Sequence, residues 1–128
     1  MFSENTKIKA SIALSILIEC AKKKDTKNDR IYYSELAVKL NKNERISKSS
    51  ARSVSKPLEY IRDEICEKKR LPKINLLAVN KKTGVPGKNA FGRTIEDKKE
   101  REKLFDIEKE KIYACTEWDK ILAEFITD

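Results

Sequence analysis

The chain has no histidine, and in 128 residues it has only three glycines, three prolines, three cysteines and one tryptophan. Without histidine, and with Cys20, Cys66 and Cys115 far apart, a zinc site, a CxxC redox pair and a Cys/His catalytic pair are excluded. An odd, scattered set of cysteines suits a reducing compartment, where free thiols serve as small apolar core residues. Long apolar runs are lacking too. The longest near the start, Ile12 to Ile18, is interrupted by Ser15 and followed by Glu19 and Lys22 to Lys24. It is too short for a membrane span and has no small-residue cleavage site. The expected location is the cytoplasm, with no membrane partner, no cofactor and no metal.

Charge is abundant, at 39% of residues, equal to the hydrophobic share. The apolar residues cluster in periodic segments, so the chain reads as folded, as one domain over 1–128 that buries roughly 65% of its unfolded surface. The net charge of +8 is segregated: residues 1–93 hold 22 Lys/Arg against 10 Asp/Glu, and residues 94–128 hold 7 against 11. A segregated positive field favours a polyanion through counterion release. The competing reading is a lysine-rich composition with no such partner.

Periodicity organises the segments. Ile8, Ile12, Ile16 and Cys20, with Leu17 and Ala21, predict the apolar face of a first helix from Thr6 to about Lys24. Ile31 to Tyr33 predicts a short strand, and Ser34 the cap of a short helix with Leu36, Ala37 and Leu40 inward, ending near Asn41. Ala51, Val54, Leu58, Ile61 and Ile65 form a helical stripe, leaving Ser49, Arg52, Ser53 and Lys56 on the opposite face. Pro57 must kink one helix or open a second capped by Ser55, and the preferred reading is a short helix, a bend, and a longer helix to about Lys69. Ile74 to Asn80 predicts a strand. Beyond Gly92 a charged helix carries Leu104, Ile107 and Lys111 on one side, Tyr113 to Cys115 is extended, and Thr116 caps a last helix with Trp118, Ile121, Leu122 and Phe125 inward.

All three glycines lie in KKTGVPGKNAFGR, residues 81–93. Gly84, Pro86 and Gly87 predict a sharp reversal after the strand, with Lys81, Lys82, Lys88 and Arg93 around it. Such a loop suits phosphates, and equally suits a plain turn with surface lysines. The glycine spacing is wrong for a P-loop, and a KH-type GxxG would join two helices instead of following a strand. The expected fold class is α+β, mostly helical: a winged-helix-like core over about 31–93 with a small β-hairpin, extra N- and C-terminal helices, and an acidic helical extension over 94–128.

IYYSELAVKL, SARSVSKPL and LAVNKKTG, in that order, resemble the DNA-binding part of the alkylguanine-DNA alkyltransferases and their alkyltransferase-like relatives, over about Ile31 to Gly87. The resemblance implies that Tyr33 matches the family's base-rotating tyrosine and Arg52 the arginine that fills the place of a flipped base. Read from the residues alone, Tyr33 is equally a core tyrosine and Arg52 a solvated helix residue. Where the transferases have Pro-Cys-His-Arg, this chain reads KINLL at 73–77, with no thiol to accept an alkyl group. The resemblance thus implies binding without transfer. LPKINLLAVNKKTGVPG, with the Tyr-Ala-x-x-x-Trp ending, also resembles small bacterial and phage proteins, implying a prokaryotic or phage origin.

The expectation is a non-enzymatic protein of duplex DNA, with Ser49, Arg52, Ser53 and Lys56 on the recognition helix 49–56, Lys81, Lys82, Lys88 and Arg93 on the wing 81–93, and Tyr33 beside them. The alternative is a phage or mobile-element factor that binds a host defence or regulatory protein through its acidic C-terminal helices. A metal-dependent nuclease built on Glu108, Lys109, Glu110 and Lys111 is disfavoured, because these residues lie in a helix-prone run with no partner aspartate on a strand.

Overall fold

The structure is a computed structural model that describes residues 2–42 and 54–127. The predicted positions Ser49, Arg52 and Ser53, and any short helix before Val54, lie outside the described residues.

Helix α1 (Glu4–Lys22) starts where the Ser3 side chain accepts a hydrogen bond from the Thr6 amide at 3.1 Å, a capping arrangement. Its buried residues are Lys9, Ala10, Ala13, Leu14, Leu17, Ile18, Cys20 and Ala21, so of the predicted face Leu17, Cys20 and Ala21 are buried and Ile8, Ile12 and Ile16 are not. Four residues turn an α-helix through more than one revolution, so a strict four-residue repeat drifts about 40° per step. Ile8 therefore lies at the surface, 41% exposed, and Ile12 and Ile16 are half-buried. The alternating three-and-four spacing stays on one side and packs inward.

Strand β1 (Ile31–Tyr32) leads into α2 (Tyr33–Leu40). The cap is Tyr32, not Ser34: the Glu35 carboxylate reaches back to the Tyr32 amide at 3.1 Å, so Ser34 falls inside the first turn. Leu36, Ala37 and Leu40 are buried as the pattern predicts.

Helix α3 (Ser55–Tyr60) continues without a break into a π-helical segment, Ile61–Glu67. Pro57 sits in its first turn, where its missing N–H costs nothing, so no kink is needed and Val54 takes the cap position expected of Ser55. Val54, Leu58, Ile61 and Ile65 are buried together. The wider π turn holds Ile61 and Ile65 in the core while Arg62 lines a surface cleft.

Ile74–Leu77 is a 3-10 turn, and only Ala78–Val79 forms a strand, β2. β2 pairs in parallel with β1, Ile31 opposite Ala78 and Tyr32 opposite Val79. The expected β-hairpin is therefore corrected: the described residues contain one two-stranded parallel sheet, and the chain after β2 turns instead of returning. A short run rich in apolar residues signals burial, which a 3-10 turn satisfies as well as a strand does.

Helix α4 (Lys98–Ala114) is capped by Asp97, which accepts from the Lys99 amide at 2.9 Å. It buries Phe105 and Ile112, whereas Ile107 is 49% exposed and Lys111 is at the surface. The helix runs through the expected extended piece as far as Ala114. In α5 (Trp118–Thr127), Trp118 and Ile121 are buried, and the Trp118 indole donates to the Ile112 carbonyl at 3.0 Å. Among the described residues one hydrophobic cluster joins helices α1 to α5, with α1 packed against each of the others. Among the described residues no helix is long and apolar enough to cross a membrane.

Candidate nucleic-acid interface

The glycine-bearing loop after β2 folds on itself before it meets anything else. The Asn80 amide donates to the Val85 carbonyl at 2.9 Å, and the Gly84 amide to the Asn80 carbonyl at 2.7 Å. The Asn80 side chain accepts from the Lys82 amide at 2.8 Å, a side-chain mimic of a turn. Gly84 has φ +73 and Gly92 φ +92, both in the region that favours glycine. Val85 and Pro86 are buried, so the base of the loop belongs to the core while Lys81 and Lys82 stay at the surface.

Five side chains from other parts of the fold bind the backbone of this loop. Arg30 donates to the Gly84 carbonyl at 3.4 Å, Arg101 to the Pro86 carbonyl at 3.1 Å, Arg62 to the Asn89 carbonyl at 3.1 Å and Asn75 to the Ala90 carbonyl at 3.0 Å. The hydroxyl of Tyr33 accepts from the Gly87 amide at 2.8 Å. Three of the five are arginines, whose planar fork serves several acceptors at once. Arg101 also donates to the carbonyls of Ile95 and Glu96, each at 2.9 Å, and Arg62 grips both oxygens of Asp63 at 2.7 and 2.9 Å.

A cleft of about 440 Å³ lies between the start of α2, α3 with its π-helical extension, and residues 87–90 of the loop. Leu58, Val54 and Ala90 supply apolar wall, and Lys56 and Lys88 border it. Their ammonium groups meet Glu59 at 3.4 Å and Glu96 at 3.8 Å, exposed pairs of little strength. Burial raises the Tyr33 phenol above its ordinary pKa, and the Gly87 N–H opposes that rise; the hydroxyl keeps its proton at neutral pH. Asn75, 3% exposed, also lines the cleft, and its Oδ1 has no hydrogen-bond partner among the described residues. Leaving such an acceptor unpaired costs about 1–3 kcal/mol.

Of the positions picked from sequence, Tyr33, Lys56 and Lys88 meet at this cleft, with Tyr33 packed against the core and bonded to the loop. Lys81 and Lys82 are exposed on the same loop, and neither has an acidic partner among the described residues. Arg93 lies apart, 3.8 Å from Glu100, bordering a smaller hollow of about 210 Å³ beside α4 with Phe91, Leu104 and Ile107. Sequence reasoning missed Arg30, Arg62, Asn75 and Arg101. The one signal for three of them was the use of arginine in a chain whose basic residues are mostly lysine. Compared with known proteins, the chain matches no family model, no curated protein and no solved structure.

Proposed function

We propose that this protein binds duplex DNA without chemistry of its own, in a winged-helix-like manner in which the pinned loop 81–93 takes the place of the wing. A single observation carries the reading. Exposed Lys81, Lys82 and Lys88 stand on a loop whose backbone is held by Arg30, Tyr33, Arg62, Asn75 and Arg101, and Lys88 shares a cleft edge with Lys56. Charges held on a fixed frame meet a phosphate backbone with little ordering cost. Ser49, Arg52 and Ser53 enter this reading on the sequence pattern alone, and Lys56 stands on α3.

Non-specific affinity on the order of 10⁻⁴ to 10⁻⁶ M at physiological salt follows from phosphate contacts alone. Fluorescence anisotropy with a labelled duplex across a salt series tests it. Four lysine contacts give a slope of log K against log salt of about −3 to −4. A flat salt response, or binding unchanged by Lys81, Lys82 and Lys88→Ala together, ends the proposal.

A protein partner is the second reading, favoured by Ile107, which is exposed on α4 beside the hollow that Phe91 and Leu104 line. A nuclease-resistant pull-down lost on Ile107→Asp supports it; retention of the same partner by that variant removes it.

A further inference from the structure

The helical stripe Leu104, Ile107 and Lys111 stays outside the core cluster, because α4 fills core space with Phe105 and Ile112 instead. Leu104 and Ile107 meet Phe91 of the pinned loop around a hollow of about 210 Å³. Its apolar groups are within reach of a partner: Ile107 is 49% exposed, and Leu104 and Phe91 are half-buried. The volume is below the roughly 300–1,000 Å³ of small-molecule sites, and gives room for a protruding side chain. Three cations, Lys73, Arg93 and Lys111, line the same hollow against one carboxylate, Glu108. Glu108 is already engaged, accepting from the Lys73 amide at 2.8 Å and standing 3.8 Å from Lys111. Arg93 has only Glu100 at 3.8 Å, an exposed pair of little strength, and Lys73 forms no ion pair among the described residues. Apolar surface rimmed by spare positive charge complements an apolar group flanked by carboxylates. An extended polyanion fits less well, since α4 also exposes Glu100, Asp106 and Glu110, and residues 94–128 hold 7 Lys/Arg against 11 Asp/Glu.

We propose that this hollow docks an acidic peptide segment of a partner protein, with one large apolar side chain against Phe91, Leu104 and Ile107 and carboxylates against Lys73, Arg93 and Lys111. The inference rests on the protein-partner reading above, gives that partner a chemistry, and is independent of duplex binding. Because Arg62 and Asn75 hold the carbonyls of Asn89 and Ala90 just before Phe91, docking orders little of the loop.

The test is selection of a phage-displayed random peptide library on the full chain, without DNA, followed by fluorescence anisotropy of the enriched peptides. Expected are sequences in which Leu, Ile, Phe or Trp stands among Asp and Glu. Ile107→Asp should weaken their binding about tenfold or more, with a thermal melt confirming that the variant folds. Arg93→Glu with Lys111→Glu should weaken it too and flatten its salt dependence; if Ile107→Asp does not fold, this exposed pair of changes decides alone. No enrichment, enriched peptides that are basic or lack an apolar residue, or binding indifferent to either folded variant would each overturn the proposal. So would a dimer of the unaltered chain that Ile107→Asp dissolves, or single-stranded DNA or phosphatidylserine vesicles bound at the hollow in place of peptide. A pull-down partner lost on Ile107→Asp, together with a selection that returns no acidic peptide, would remove the acidic class and leave the protein-partner reading standing.

Discussion

The amide of Gly87 donates to the hydroxyl of Tyr33 at 2.8 Å, across 54 positions of sequence. The bond joins the first residue of α2 to the lysine-bearing loop, so the packing of one helix sets where that loop stands. Tyr33→Phe keeps the ring and removes the acceptor. A part-buried N–H left unpaired costs about 1–3 kcal/mol, and the variant should unfold at lower denaturant with faster hydrogen exchange at Gly87. Unchanged exchange at that amide would show that the bond does not hold the loop.

Two glycines of the loop should respond oppositely to alanine. A Cβ at Gly84 meets nothing within 4 Å, yet φ is +73, so Gly84→Ala is strained by conformation and should cost about 1 kcal/mol. At Gly87 a Cβ would sit 3.5 Å from the Tyr33 hydroxyl, an ordinary contact, and the backbone is outside the left-handed region. Gly87→Ala should be neutral or stabilising by up to about 1 kcal/mol through the unfolded chain. Urea midpoints of the two variants settle the order.

Asp29 is buried, with Oδ1 3.0 Å from Arg30 Nε and Oδ2 accepting from the Tyr113 hydroxyl at 3.0 Å. Burial pushes its pKa up, but the bonds from Arg30 and Tyr113 outweigh it and hold the carboxyl below its ordinary value. A depressed folded-state pKa adds stability that is fully present above the unfolded value, near pH ~3.9, and is lost as pH falls through the folded one. Unfolding free energies measured from pH 7 down to pH 3 should therefore decline in the acid range. In Asp29→Asn, which should cost about 1–3 kcal/mol at pH 7, that decline should be shallower. Equal acid slopes would remove Asp29 from the account.

Each lysine that touches a phosphate adds nearly one to the salt slope. Lys81 and Lys82→Ala together should lower the slope of duplex binding by about 2. Their stability should stay within about 0.5 kcal/mol of the parent, because both side chains are exposed. A weaker binder with an unaltered slope would place the DNA on another surface.

Thiol chemistry reports the core. Burial pushes the Cys66 thiol up to about 12 and raises Cys20 as well, while Cys115 is only half-buried. At pH 8 Ellman's reagent should label at most Cys115 at speed, and reach Cys66 only on unfolding, since the thiolate is the reactive form. Rapid labelling at Cys66 would contradict the packing of the π-helical segment.

Much of this arrangement is visible along the chain. The stripe from Val54 to Ile65, the inward face of α2 and the anchor Trp118 follow from helical spacing, and the basic loop follows from its glycines and lysines. Where apolar residues are dense or few, spacing fails to choose a face. In α1 both the Ile8 and the Ala10 registers look apolar, and in α4 Leu104 and Ile107 compete with Phe105 and Ile112, of which only the latter two fill core space.

Helix positions, charge segregation and the exclusion of histidine chemistry are properties of composition and of neighbours a few residues apart, and these could be read without coordinates. The parallel pairing of Ile31 with Ala78, the pinning of loop carbonyls by Arg30, Arg62 and Arg101, and the unpaired oxygen of Asn75 required the folded molecule. Those features arise from contacts between distant segments, and a local pattern records that a residue is apolar or charged without recording which distant atom it will meet.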